Sequence, residues 1–295
     1  MEKLQAAIEI ARRKREAERG ESPPPTAASP AASPAIPSQA GPMSQPTPAV
    51  SPPGDANARW QALPEVELDL TTLIRSRILS QSASHESTPF DVLRTKILYQ
   101  MRQNGWRRLA ITSPLPKCGK TTAAVNLALA LGRQPELRSM LFDFDLRAPS
   151  VADKLGLPQP PSIAPLLRGE RGFEDHGQRI GSNLALALSG VPETDPTRLL
   201  MSDTTRDTLA RIQGDYAPDI MIFDLPSILI GDDARAFLQH VDCALILARA
   251  DQTRYGDFDS CEREVGEYTN VLGVALNAYR HSEGKVDAVE GPDRA

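Results

Sequence analysis

The chain has 295 residues and a formal net charge of −5, from 33 lysines and arginines against 38 aspartates and glutamates. This mild acidic balance gives no support to nucleic-acid binding, and the hydrophobic fraction of 40% is ordinary for a globular protein. The sequence contains neither a run of 18 apolar residues nor a secretory signal, so we expect no transmembrane helix and a cytoplasmic protein. Its three cysteines are too scattered to predict a disulfide framework or a zinc site.

The first 20 residues predict an amphipathic helix. Leu4, Ala7, Ile8 and Ala11 form a narrow apolar stripe, and a run of basic residues follows it. Such a helix would dock onto a partner protein or, as a second choice, onto an anionic membrane surface; a solvated helix with no partner is the alternative.

Residues 21–58 predict a disordered linker. Eleven of the 26 prolines fall between Pro23 and Pro53, among alanines and serines. So few large apolar side chains cannot offset the entropy of ordering the segment. We expect a globular body over residues 59–280 and a disordered polar tail over residues 281–295.

Strands and helices alternate along the predicted body. Thr88-Pro89 opens a helix, with Thr88 as the expected N-cap. The apolar face of that helix consists of Phe90, Leu93, Ile97, Leu98 and Met101. Further on we predict a helix over 120–131 and strands over 108–112, 139–144, 220–225, 243–248 and 271–276. Since these strands are uniformly apolar, they are typical of parallel strands covered on both faces. The sequence therefore predicts a doubly wound α/β fold with a mostly parallel sheet.

A phosphate-binding loop is predicted between the first strand and its helix. Gly119-Lys120-Thr121 has the form of the end of a P-loop, in which backbone N–H groups cradle phosphate oxygens. Lys120 would reach the β- and γ-phosphates, and the Thr121 hydroxyl would bind Mg²⁺. A strict P-loop has glycine where this chain has Pro114, so a simple strand-to-helix turn is the alternative.

Three aspartates follow predicted strands after this loop. Asp143 and Asp145 end one apolar run, and Asp224 ends another. Carboxylates at such positions serve Mg²⁺ binding and proton transfer. A single one would often be merely solvated, but three in this order predict a site for a nucleoside triphosphate and Mg²⁺.

In these motifs the chain resembles the bacterial tyrosine kinases (BY-kinases) of capsule and exopolysaccharide assembly, P-loop ATPases related to the partitioning ATPases. The resemblance covers about residues 93–277. The segments that carry it are Thr112–Thr121 with Pro116, Asp143–Pro149 in the form D-x-D-x-R-x-P, Gly190–Leu200, Asp224–Ala234, and Gly273–Asn277.

The resemblance implies roles for individual residues. Asp143 would accept the proton of the attacking hydroxyl, while Asp145 and Asp224 would organise Mg²⁺ together with Thr121. Lys120 would stabilise the transferring phosphoryl group, which makes Lys120, Asp143 and Asp145 the implied catalytic set. The residues implied to bind the nucleotide are Pro116, Lys117, Cys118, Gly119, Lys120, Thr121, Thr122 and, beside the adenine, Asn277. For Cys118 we weigh a small residue that faces away from the nucleotide against a reactive thiol.

Two departures from the family pattern matter for function. No tyrosine follows Tyr279, so phosphorylation of a tyrosine tail is not expected. Where ring-forming members carry E-x-x-R-x-x-R, this chain has Thr88, Asp91 and Arg94, which leaves oligomerisation open. The implied partner is a membrane polysaccharide co-polymerase of the chain-length determinant type. We expect the protein to lie at the inner membrane through that partner or through the N-terminal helix.

Three hypotheses about function stay open at this point. One is a kinase or ATPase whose phosphoryl acceptor is another protein or water. Another is a non-catalytic, ATP-dependent regulatory subunit of the polysaccharide machinery. The third is a partitioning-type ATPase, against which Leu115 counts, because those proteins carry a lysine at that position.

Overall fold

The computed structural model describes residues 53–279. The predicted N-terminal helix, most of the predicted linker and the predicted tail lie outside these residues. Helix α1 (Pro53–Ala62) begins before the expected boundary at residue 59. Its Trp60 is buried, and the indole N–H donates to the carbonyl of Tyr216 at 2.7 Å. Within the predicted linker, Ala56 is buried and the Asn57 side-chain oxygen accepts from Arg138 at 3.0 Å, so the end of the linker packs against the body.

A seven-stranded sheet with the order β3-β4-β2-β5-β1-β6-β7 forms the centre of the fold. Its strands are β1 (Arg108–Thr112), β2 (Ser139–Asp143), β3 (Gln178–Ile180), β4 (Leu184–Ala187), β5 (Ile220–Asp224), β6 (Cys243–Arg249) and β7 (Asn270–Asn277). Every neighbouring pair is parallel except β3 and β4. The predicted doubly wound, mostly parallel α/β fold is confirmed.

Helices cover both faces of this sheet. They are α2 (Leu70–Arg75), α3 (Thr88–Asn104), α4 (Lys120–Gly132), α5 (Val151–Leu155), α6 (Ala164–Leu167), α7 (Pro196–Leu200), α8 (Asp203–Tyr216), α9 (Asp233–Leu238) and α10 (Tyr255–Tyr268). None of the helices within residues 53–279 is long and apolar enough to cross a membrane. Helix α4 is buried along nearly its whole length, which explains its alanine- and leucine-rich sequence.

Two sequence-based expectations need correction. Helix α3 does begin at Thr88, but Ser87 is its N-cap residue, and the Ser87 hydroxyl bonds back to the Ser84 carbonyl instead of capping the helix. Strand β7 lies at the sheet edge, where Val274 and Leu276 remain 45% and 48% exposed. Coverage of every strand on both faces was therefore wrong for β7, because the described residues leave the face with Val274 and Leu276 largely uncovered at this end of the sheet.

The short strands β3 and β4 were not predicted from the sequence. Strand β4 has four residues and β3 has three, which is too short for a hydrophobic period to stand out. Strand β3 closes its edge of the sheet through backbone bonds to the chain before α2, where Val66 donates to the Arg179 carbonyl at 2.8 Å.

Candidate nucleotide-binding site

The order of the strands brings the predicted motifs to one edge of the sheet. Strand β5 lies between β1 and β2, and in this register Asp143 is directly opposite Asp224. The predicted P-loop leaves the same end of β1. Because the carboxyl ends of parallel strands meet at a common edge, residues about 100 positions apart in sequence form one site.

The P-loop has the backbone shape that its glycine suggests. Gly119 has φ +94°, and a Cβ there would lie 2.1 Å from the side-chain nitrogen of Asn277. Gly119 is also the N-cap residue of α4 and provides no side-chain cap. The N–H groups of the first turn therefore lack a side-chain acceptor, which is the arrangement that binds phosphate at a helix N-terminus.

Two side chains from neighbouring strand ends fix this loop from outside. Asn277, at the end of β7, donates to the Cys118 carbonyl at 2.8 Å. Arg249, at the end of β6, donates to the Lys117 carbonyl at 2.8 Å, and Lys117 has φ +65°. The sequence analysis predicted that Asn277 lies beside the adenine of a bound nucleotide. In the structure its side-chain amide contacts the P-loop.

The remaining residues of the loop differ in exposure. Pro116 and Lys117 are exposed, while Thr121 and Thr122 are half-buried. Cys118 is buried, and its sulfur lies 3.8 Å from the Thr253 hydroxyl. Burial of the sulfur gives no support to a reactive thiol, and the orientation of Cys118 relative to a nucleotide stays a prediction.

Lys120 points into the body of the protein. The residue is only 8% exposed, and its ammonium donates to the Ser227 hydroxyl at 3.1 Å. Within residues 53–279 no carboxylate oxygen lies within 4 Å of this nitrogen.

Asp143 is fully buried, and its two oxygens have different surroundings. One oxygen accepts the N–H groups of Ser150 and Val151, each at 2.9 Å, at the start of α5. The other oxygen has no partner in hydrogen-bond geometry among residues 53–279. Burial, together with the charge of Asp145, raises the pKa of Asp143 to about 7.

Asp224 is the most isolated of the three carboxylates. It is completely buried, and within the described residues no group meets hydrogen-bond geometry with either oxygen, although the Thr121 hydroxyl lies close enough to act on the carboxylate. Burial raises the pKa of Asp224 well above its ordinary value, the charge of Asp143 adds to this, and the Thr121 hydroxyl opposes it. Burial also raises the pKa of Asp145, against the lowering effect of the Lys120 charge.

These unpartnered oxygens fit a magnesium site that is completed by phosphate. Mg²⁺ takes oxygen ligands and usually combines one or two carboxylates with water and substrate phosphates. Over the described part of the chain, no group of three or more histidine, cysteine or acidic residues could hold a metal by itself. Thr121, Asp145 and Asp224 are therefore suited to Mg²⁺ that arrives with a nucleotide.

A second cluster joins three of the segments that carried the family resemblance. Arg147 contacts both oxygens of the buried Asp233 at 2.5 and 3.0 Å, and Thr197 donates to the same carboxylate at 2.5 Å. These residues come from the D-x-D-x-R-x-P segment, from α9 and from α7. The cluster ties the loop that carries Asp145 to the segment that follows β5.

Asp91 and Arg94, the charged residues at the positions of the ring-forming motif, make ion pairs within the body. Asp91 pairs with Arg94 at 3.1 Å and contacts Arg133 at the end of α4. Arg94 also donates to the Ala130 carbonyl at 3.0 Å. In this chain the pair fastens α3 to α4.

Sequence reasoning missed three residues of the site. Ser227, Arg249 and Thr253 contact the P-loop but are more than 100 positions away from it in sequence. The quoted Asp224–Ala234 segment contained Ser227, yet nothing in the pattern marked this serine as the partner of Lys120.

Comparison with known proteins agrees with the sequence-based resemblance, although no protein-family profile matches the chain. YwqD of Bacillus subtilis, named a tyrosine-protein kinase, is 27% identical over 210 residues, which is 70% of this chain and 87% of YwqD. The solved kinase domain of VpsO superposes with a TM-score of 0.58 at 27% identity and covers 66% of this chain and 96% of that domain. The chain is thus similar to proteins named as bacterial tyrosine kinases.

A longer relative shows how much of such a protein this chain corresponds to. EpsB of Ralstonia nicotianae, also named as a tyrosine-protein kinase, is 24% identical over 237 residues. That alignment takes in 75% of this chain but only 31% of EpsB. The chain thus spans about a third of the length of this relative.

Proposed function

We propose that the chain binds ATP with Mg²⁺ and transfers the γ-phosphoryl group as a tyrosine kinase, or releases it as an ATPase. One observation carries this proposal. Lys120 lies at the same edge of the sheet as the unpartnered oxygens of Asp143 and Asp224. The relationship to proteins named as tyrosine kinases supports the reaction class.

Each side chain has a task in this proposal. Lys120 neutralises charge on the β- and γ-phosphates, and the free oxygen of Asp143 accepts the proton of the attacking hydroxyl. A pKa of about 7 suits Asp143 to this task, because a general base works best near the operating pH. Bound Mg²⁺ would be held by Thr121, Asp145 and Asp224 and would supply positive charge to the phosphates.

The acceptor and the partner belong to the same proposal. We place the acceptor on a tyrosine of another protein or on water. The partner is a membrane polysaccharide co-polymerase of capsule or exopolysaccharide synthesis, through which the chain is held at the inner membrane. The support for this is the family resemblance of the motifs.

One observation favours a second function, that of a nucleotide-dependent regulator without turnover. One Asp143 oxygen is bonded to two backbone N–H groups of α5, which gives this carboxylate a structural task as well. In this alternative ATP sets a conformation that the polysaccharide machinery reads.

Single-turnover assays with γ-labelled ATP distinguish these functions. The acceptors would be a glutamate–tyrosine copolymer, the cytoplasmic segment of a co-polymerase, or water alone. We expect label on tyrosine or in free phosphate, and at least a hundredfold slower transfer in Asp143→Asn. Asp203→Asn changes an exposed aspartate of α8 and serves as the matched control. Binding without turnover would favour the regulator, and absence of ATP binding would refute both functions.

A further inference from the structure

A chain of hydrogen bonds runs from the P-loop lysine to the P-loop backbone through two serines. After β5 the backbone continues beside the start of the P-loop, where Ile228 donates to the Ser113 carbonyl at 3.0 Å. Thr112 donates to the Pro226 carbonyl at 2.8 Å on the same stretch. These bonds place the buried Ser227 against the buried Ser113.

The direction of this chain follows from counting protons. The Ser113 hydroxyl has a single proton and donates it to the Leu115 carbonyl at 2.7 Å. At the 3.2 Å contact between the two serines, Ser227 must therefore be the donor. With its own proton committed, the Ser227 oxygen can only accept, and it accepts from the Lys120 ammonium.

The charges around this lysine make a neutral partner unexpected. Asp143, Asp145 and Asp224 all lie at the same edge of the sheet, and the Lys120 charge is close enough to act on Asp145 and Asp224. The ammonium nevertheless bonds to a hydroxyl, and no carboxylate of the described residues pairs with it.

We propose that Ser227 is a positioning residue, which holds the Lys120 ammonium on a neutral acceptor and so keeps it from pairing with Asp145 or Asp224. The lysine then stays available for phosphate, and the carboxylates stay available for Mg²⁺. A buried ion pair would have to be broken for each binding event, whereas a hydrogen bond to a neutral hydroxyl is exchanged at a smaller cost. This inference rests on the nucleotide site of the proposed function.

Removal of the hydroxyl tests this role. In Ser227→Ala the ammonium loses its acceptor and is expected to turn toward the carboxylate of Asp145 or Asp224. We expect the affinity for Mg²⁺-ADP to fall about tenfold, with a higher Mg²⁺ concentration needed for half-maximal binding. Ser227→Thr keeps a hydroxyl and should restore both values. Ser139→Ala, a buried serine at the start of β2, is the matched control and should leave both unchanged.

The first measurement needs no nucleotide. Crystal structures of nucleotide-free wild type and Ser227→Ala would locate the Lys120 nitrogen. We expect it on Ser227 in the wild type and within hydrogen-bond distance of a carboxylate in the variant. An ammonium that stays clear of all carboxylates in Ser227→Ala, or that already pairs with one in the wild type, would overturn the proposal. Should this variant not fold, Ser113→Ala takes its place, since it frees the proton of Ser227 and should weaken the hold on Lys120.

Calorimetric titration with Mg²⁺-ADP at several Mg²⁺ concentrations is the second measurement. An unchanged affinity and an unchanged Mg²⁺ dependence in Ser227→Ala would also overturn the role of this serine. A wild type that binds no nucleotide would instead refute the proposed function, and the crystal structures would still decide where Lys120 rests.

Discussion

Asn126 and Asp224 are both completely buried polar residues, yet their surroundings are opposite. The side-chain oxygen of Asn126 accepts the N–H groups of Leu79 and Ser80 at 2.7 and 3.1 Å. Its nitrogen donates to the carbonyls of Arg77 and Thr122 at 3.0 and 2.8 Å. In the described part of the chain, no group is in hydrogen-bond geometry with either oxygen of Asp224.

This difference separates a structural polar group from a functional one. Buried polar groups are nearly always hydrogen-bonded, because an unpaired group pays the full cost of leaving water. Asn126 follows that rule and pins the chain before α3 onto α4. Asp224 breaks it at the sheet edge beside the P-loop, where a cation that arrives with phosphates would satisfy both oxygens.

The largest effect is expected from loss of the satisfied group. Asn126→Ala leaves four backbone groups without their partner, and water can reach some of them in the loop before α3. We expect a loss of roughly 3 kcal/mol in the free energy of unfolding, measured by urea denaturation. Asn104→Ala, on the exposed end of α3, should change it by less than about 0.5 kcal/mol. Equal effects of the two variants would show that the Asn126 network contributes nothing special.

Lys120→Ala tests the functional half of the comparison. It removes a charge-assisted contact worth roughly 1.5–3 kcal/mol, so ATP binding should weaken by about one to two orders of magnitude in calorimetry. Lys96→Ala removes an exposed lysine of α3 and should leave the affinity unchanged. An unchanged affinity in Lys120→Ala would refute the assignment of the P-loop.

A gain in stability is expected when the unpartnered carboxylate is made neutral. Asp224→Asn should raise the free energy of unfolding of the nucleotide-free protein by about 1 kcal/mol at pH 8, since folding then no longer buries a carboxyl group that is ionised in the unfolded chain. Asp219, just before β5, already accepts the Arg138 N–H at 2.8 Å, so Asp219→Asn should bring no gain. A loss of stability in Asp224→Asn would show that its charge is paired in solution.

The last prediction concerns the pH dependence of stability, through the carboxylate of Asp143. Folding raises the pKa of Asp143 from 3.8 to about 7, so the folded state binds its proton more tightly than the unfolded state does. This group therefore lowers stability as pH rises from about 4 to 7 and has no further effect above that range. In the metal-free protein, Asp143→Asn should lose this component of the slope. Identical wild-type and variant curves across this range would contradict the raised pKa.

The sequence predicts those parts of the fold and of the site whose residues are marked by their immediate neighbours in the chain. Gly119-Lys120-Thr121 lies between a clear strand and a clear helix, and Asp143 and Asp224 end long apolar runs, so the strand order alone brings them together. Ser227 and Asn126 act through contacts with distant segments of the chain, and no spacing rule describes those. The exposed faces of Val274 and Leu276 were missed for a similar reason, because an edge strand and a central strand can have the same sequence.

The central claim is that the oxygens of Asp224 are unpartnered because they bind Mg²⁺ when a nucleotide is bound. The magnesium dependence of nucleotide affinity tests this claim most directly. ADP would be titrated calorimetrically into wild type and Asp224→Asn, with Mg²⁺ and with a chelator. We predict that Mg²⁺ strengthens binding at least tenfold in the wild type and has little effect in the variant, while affinities without metal stay alike. An equal strengthening by Mg²⁺ in both proteins would contradict this account.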